Sequence, residues 1–210
     1  MNWGDPITKK LVVANHVDGI KGIDLVSRQP FEWMTNSVGA TPVPNNTRFG
    51  TATACLHDYG YWGGGTTYNP IAATDDVTVL MWAREDATLN RGFFRRGKDG
   101  SGNGWSLYLK TENSACNPSF GVVWTSPGLV GRAVTNAAAS INASLGSEGM
   151  WLLGRYTQGV SLSIFCGNGT VAHDTTSVGS SLRTSTAGIS LTGNTASTAD
   201  NGNFVHFYGT

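Results

Sequence analysis

Charge is scarce in this sequence. Charged residues make up 13% of the 210, and fourteen basic and fourteen acidic side chains cancel to a formal net charge of zero. A chain without a field of one sign has no long-range means of drawing in nucleic acid or an acidic membrane. Cysteine is scarce too: Cys55, Cys116 and Cys166, with no C-x-x-C spacing. That sets aside a disulfide framework and a zinc ribbon, leaving small buried thiols or a single bridge. Long apolar runs are missing. The longest, Val77 to Ala83, is far too short to span a bilayer. The opening Met1-Asn2-Trp3-Gly4-Asp5-Pro6 has no apolar signal-peptide core, so the expectation is a chain made and used without such export.

Glycine is plentiful, with 28 positions, and hydrophobic residues reach 40%. Helical bundles draw on Glu, Lys, Leu and Ala for their solvated faces, and this composition does not suit one. It suits short strands joined by Gly, Asn, Ser and Thr turns. Period-two patterns agree. Trp105, Leu107 and Leu109 alternate with Ser106, Tyr108 and Lys110, and Val160, Leu162 and Ile164 with Ser161 and Ser163. Ile189 and Leu191 alternate with Ser190 and Thr192. Each pattern predicts one face in a core and one in water. The denser runs Val77–Trp82 and Met150–Leu153 predict central strands buried on both sides.

Turn signals separate these segments: the Gly-rich stretch 97–104, Thr157-Gln158-Gly159 and Gly167-Asn168-Gly169. The Ala-rich stretch Asn136 to Leu145 allows one or two helical turns at most. Residues 36–48 are the most loop-like, and nothing divides the chain, so one domain over 1–210 is expected. Residues 1–35 then form added strands or an arm.

In order and spacing, the region from about Asp75 onward resembles the concanavalin A-like, laminin-G-like jelly-roll family. The resemblance rests on Val77–Ala83, the Gly92–Lys98 hairpin, Gly104–Leu109, the Trp-led Gly149–Tyr156, Ser161–Gly169, Ile189–Asn194 and Phe204–Tyr208. It implies an all-β, antiparallel two-sheet β-sandwich. The usual aromatic-x-Asp-Gly hairpin carries Cys166 and Asn168 instead. The opening, Asp5–Val13 and Gly22–Ser27, resembles stand-alone versions of this domain encoded among bacteriophage structural genes. Those serve as capsid decorations, fibres or other virion surface proteins.

Catalytic patterns fail residue by residue. Glycosidases of this fold carry a Glu-x-Asp-x-x-Glu strand that brings two carboxylates onto one face. Glu32, Glu85, Glu112 and Glu148 lack that context, and Glu85 and Asp86 are adjacent, so in a strand they would face opposite ways. There is no Gly-x-Ser-x-Gly elbow, and His16, His57, His173 and His206 show no ligand spacing. Calcium is the one cofactor with a case. The family often holds it at the sandwich rim, and Asp75, Asp76 and Asp200 sit just before strand patterns. The plainer reading makes them turn residues. Tyr59, Tyr61 and Trp62, set beside glycines, are the candidates for stacking on a sugar ring, or else they alternate into a strand. Arg91, Arg95, Arg96 and Lys98 fall within eight residues and read as a solvated hairpin tip or a partner or anion contact.

The expectation is therefore a non-catalytic virion-surface protein, a capsid decoration or fibre-associated module. It would be exposed on the particle, assembled with other virion proteins or with itself, and able to touch glycans. The alternative is a dedicated carbohydrate-binding lectin-like module, with or without calcium.

Overall fold

In the computed structural model, the described residues are 15–18, 21–24, 28, 30–34, 41–43, 52–55, 59–62, 71–85, 92–98, 105–112, 117–126, 129–137, 139–141, 149–175, 178–182, 189–191 and 205–207. The regular elements among them are strands: β1 (Asn15–Asp18), β2 (Lys21–Asp24), β3 (Pro30–Met34), β4 (Thr41–Val43), β5 (Ala52–Cys55), β6 (Tyr59–Trp62), β7 (Val77–Glu85), β8 (Gly92–Lys98), β9 (Trp105–Glu112), β10 (Asn117–Ser126), β11 (Leu129–Asn136), β12 (Met150–Thr157), β13 (Ser161–Cys166), β14 (Val171–Asp174), β15 (Ile189–Leu191) and β16 (Val205–Phe207). They form two antiparallel sheets. One has nine strands in the order β1-β2-β3-β6-β15-β8-β9-β10-β11, and the other has seven in the order β14-β13-β12-β7-β16-β5-β4. The protein is an all-β antiparallel sandwich. Strands β1 to β3 pair at one edge of the larger sheet. Thr41–Val43, within the stretch expected to be loop, is an edge strand of the smaller sheet, where the missing N–H of Pro42 is tolerated.

The core lies between the sheets and follows the period of two. Phe94, Leu107, Leu109, Phe120, Val122 and Ile189 come from the larger sheet; Val77, Val79, Met81, Leu152, Tyr156, Leu162 and Ile164 come from the smaller. At the centre, the Phe120 ring occupies the space above Gly154, where an added Cβ would overlap it. The sheets close on each other there because one partner has no side chain.

Two sequence expectations change sides. Val77–Trp82 and Met150–Leu153 are buried on one face, not two. Leu80 is 52% exposed and Trp151 38%. Conversely, strands β9 and β10 are buried on both faces. Tyr108, on the side expected to be wet, is 4% exposed, and Ser119 and Val123 are covered too. Tyr108 lies across Gly121, its neighbour on β10, whose missing Cβ makes room for the ring. Hydrophobic density along the sequence therefore does not decide which strand is covered twice. In the Ala-rich stretch, β11 runs to Asn136 and the Ala137 N–H donates to the Pro118 carbonyl (2.9 Å). Ala139 and Ile141 then enter the core without a helix, and 142–148 lie outside the described residues.

Both tight turns form as expected. Gly159 and Gly169 take positive φ (64° and 89°), where a side chain would be strained. In the second, the Gly169 N–H donates to the Cys166 carbonyl, and the Asn168 side chain accepts from the Thr170 N–H (3.0 Å). A strap, residues 178–182, crosses the end of the sandwich. The buried Tyr156 hydroxyl donates to the Gly179 carbonyl (2.7 Å), which also accepts from the Gly159 N–H (3.0 Å). The Leu182 N–H donates to the Ala73 carbonyl (2.6 Å).

Gly154→Ala is expected to cost about 1–3 kcal/mol through overpacking against Phe120, read as a lower urea midpoint with unchanged m-value. A second prediction concerns alkali. Burial raises the Cys166 thiol to about 11 from its ordinary 9.0, and raises the Tyr156 hydroxyl above 10.0. Both acids keep their protons longer in the folded chain. Their contribution to stability is therefore fully present below pH 9 and is lost as pH rises through 9 toward 11. Cys166→Ala should shrink that fall in a series of unfolding curves.

Candidate functional site

On the smaller sheet, the alternation that sends Val79, Met81, Leu152 and Ile164 inward sends their neighbours outward. The register lines these neighbours up in rows across four strands. Leu80 on β7 stands opposite Leu153 on β12, Leu153 opposite Phe165 on β13, and Phe165 opposite Val171 on β14. Phe165 is 40% exposed and Val171 53%. On one side of this row, Trp82 and Trp151 are paired across the strands with rings at 5.6 Å in an edge-to-face contact, a geometry that aromatic quadrupoles favour. On the other side runs a polar row of Thr78, Arg155, Ser163 and His173. The face is thus apolar and aromatic at one end and cationic and hydroxylic at the other. Contiguous exposed apolar surface of this kind marks an interaction site.

The polar row holds one pair that resembles an activated nucleophile. The Ser163 hydroxyl is 2.5 Å from His173 Nδ1. Ser163 is only 4% exposed, however, so no substrate carbonyl can approach it. The hydrogen bond instead fixes His173 on the surface. Cys166, with its raised pKa, is a poor nucleophile at neutral pH. Among the described residues, no three His, Cys, Asp or Glu side chains gather as a metal would need.

The residues singled out from the sequence lie elsewhere. Tyr59, Tyr61 and Trp62 form β6, a strand between β3 and β15 of the larger sheet, rather than a loop; their side chains lie outside the described residues, as do Arg91 and Asp200. Arg95, Arg96 and Lys98 sit on β8, flanked by β15 and β9, not at a hairpin tip. Arg96 is 3% exposed and points two donors, Nε (3.1 Å) and Nη2 (2.7 Å), at the Ile71 carbonyl. Burial lowers its pKa, partly offset by nearby Asp75. Asp75 and Asp76 do stand just before β7, as turn residues. Asp75 Oδ2 accepts from the Ala72 N–H (2.7 Å), and Asp76 Oδ1 accepts from the Gln158 N–H (2.8 Å), tying the start of β7 to the β12–β13 turn. Sequence patterning does not single out the face on β7, β12, β13 and β14. Its signal, apolar residues at both parities of Val77–Trp82 and Met150–Leu153, is the same signal that double burial gives.

No family model matches the chain, and no curated protein does. Its fold is shared with solved structures, among them two binding domains. One is the binding domain of Paraclostridial Mosquitocidal Protein 1, at 12% identity and a TM-score of 0.64, covering 96% of this chain and 48% of that one. The other is the binding domain of botulinum neurotoxin serotype G, at 10% identity and a TM-score of 0.58, covering 94% and 46%. The chain spans about half the length of either, and at such identities the likeness shows the β-sandwich fold alone.

Arg96→Met is expected to cost about 2–4 kcal/mol, because the Ile71 carbonyl loses its charged donors inside the protein. Differential scanning calorimetry would show the loss. Arg96→Lys should recover only part of it, since an ammonium lacks the two-pronged geometry.

Proposed function

We propose that this chain is a non-catalytic binding module that attaches through the outer face of the seven-stranded sheet. Its place in this reading is on the surface of a virion, as a capsid decoration or fibre-associated module assembled with other copies or with shell proteins. The observation that carries the reading is the outward row Leu80–Leu153–Phe165–Val171 beside the Trp82–Trp151 pair. A contiguous exposed apolar patch rimmed by polar residues is often a functional contact surface. That solved structures of the same fold bear the name of binding domains is in keeping with this.

A second reading, a lectin-like module, is favoured by one detail. Trp151 and Phe165 present part of their rings to solvent beside the exposed Arg155, and aromatic rings stack on sugars. The lectin reading keeps calcium as an optional cofactor at Asp75 and Asp76, whose carboxylates each accept one backbone N–H.

A glycan array run with calcium and again with EDTA separates the two. The expected result is silence under both conditions. Reproducible binding to one glycan class, lost in Trp151→Ala, would overturn the assembly reading and make the protein a lectin.

A further inference from the structure

Resting on the binding-module reading above, we infer that the partner of this face is a second copy of the same chain. The two copies pack sheet against sheet about a two-fold axis lying along the row Leu80–Leu153–Phe165–Val171.

Charge is the first argument for a second copy. The formal net charge is zero, so two copies approach without the repulsion that keeps charged proteins monomeric. The face itself has an apolar middle flanked by Arg155 on one side and indole rings on the other.

Symmetry is the second argument. When two sheets pack face to face in near alignment, about 10 Å apart, a two-fold axis can run along the rows or along the strands. With the axis along the central row, Leu80, Leu153, Phe165 and Val171 each meet their own mates. Positions two residues to either side on a strand then exchange. On β12 this sets Trp151 against Arg155 of the second copy, and Arg155 against its Trp151. A guanidinium over an indole is a favourable contact, worth more when water is excluded, and the symmetry makes it twice. With the axis along the strands, β12 would face β13. Arg155 would then meet Ser163, and Trp151 would meet Gly167. Of the two arrangements, the first satisfies the cation and the rings together.

Area sets the strength. With Trp151 and Phe165 at 38% and 40% exposure, each offers about 60–100 Å² of a ring-bearing side chain. Adding the half-exposed Leu80 and Val171 brings the apolar centre to on the order of 300–400 Å². A standard interface takes about 800 Å² from each partner. The exposed Thr78, Arg155 and His173 of the polar row add to this centre, and an interface below standard size is expected to give a weak, reversible dimer.

Sedimentation velocity on the full chain from about 1 to about 200 µM tests this. The expected result is a concentration-dependent shift from monomer to dimer. Phe165→Asp should raise the dissociation constant at least about tenfold, and Arg155→Glu about fivefold. Val160→Asp, at an exposed turn off the rows, should leave it unchanged. Should Phe165→Asp fail to fold by far-UV circular dichroism, Arg155→Glu carries the test. A short bis-maleimide should also link copies of Phe165→Cys, whose residue lies on the axis, beyond the background of the native cysteines, and should not link Thr78→Cys. A protein that stays monomeric throughout, or a dimer indifferent to Phe165→Asp and Arg155→Glu, would overturn the inference. Neither result bears on the glycan array, so the binding-module reading stands or falls separately.

Discussion

The Phe120 ring against the backbone of Gly154 is the contact on which the rest of this sandwich depends. It joins the larger sheet to the smaller, and it requires glycine at one position of β12. Because strand side chains alternate strictly, pinning Gly154 inward also fixes the direction of its neighbours. Leu152 and Tyr156 go into the core, while Trp151, Leu153 and Arg155 go to the outer surface. A slip of one residue would bury the guanidinium of Arg155 and expose the phenol of Tyr156. The outer face is thus a product of core packing, set by a residue that has no side chain of its own.

Polar groups secure the ends of the sandwich by a similar division of labour. Arg96 commits its charge to the Ile71 carbonyl, Asp75 closes the turn that follows Ile71, and Asp76 reaches the β12–β13 turn. Tyr156 then joins that region to the strap through Gly179. Each of these groups has a backbone partner and so serves the fold. A buried ion or phenol is tolerable only when hydrogen-bonded.

The fold class is legible in the sequence because alternation and glycine turns are local signals. Leu107, Leu109, Leu162, Ile164 and Ile189 follow their alternation into the core, and the turns at Gly159 and Gly169 lie where their residues suggest. The site is not legible in the same way. Leu80 and Leu153 look like core residues in a window of six, and whether a second layer covers them depends on which strands stand beside them. That is settled by pairings between distant parts of the chain, such as β7 with β12. Tyr108 shows the converse. It alternates with core leucines as a wet residue would, yet it lies covered against Gly121 of the neighbouring strand. Arg96 falls in a charge run with Arg95 and Lys98, but a strand sends consecutive side chains to opposite faces, and proximity in sequence says nothing of a shared surface.

The smaller sheet ends at β14, a strand of just four residues that carries exposed Val171 and His173. A longer, flatter edge beside an open apolar surface would invite strands from other molecules to add one after another, as in a growing fibre. Four residues give an incoming strand few backbone groups to grip. At this edge, then, the shortness of the strand works against growth by strand addition, whatever the broad side of the sheet meets.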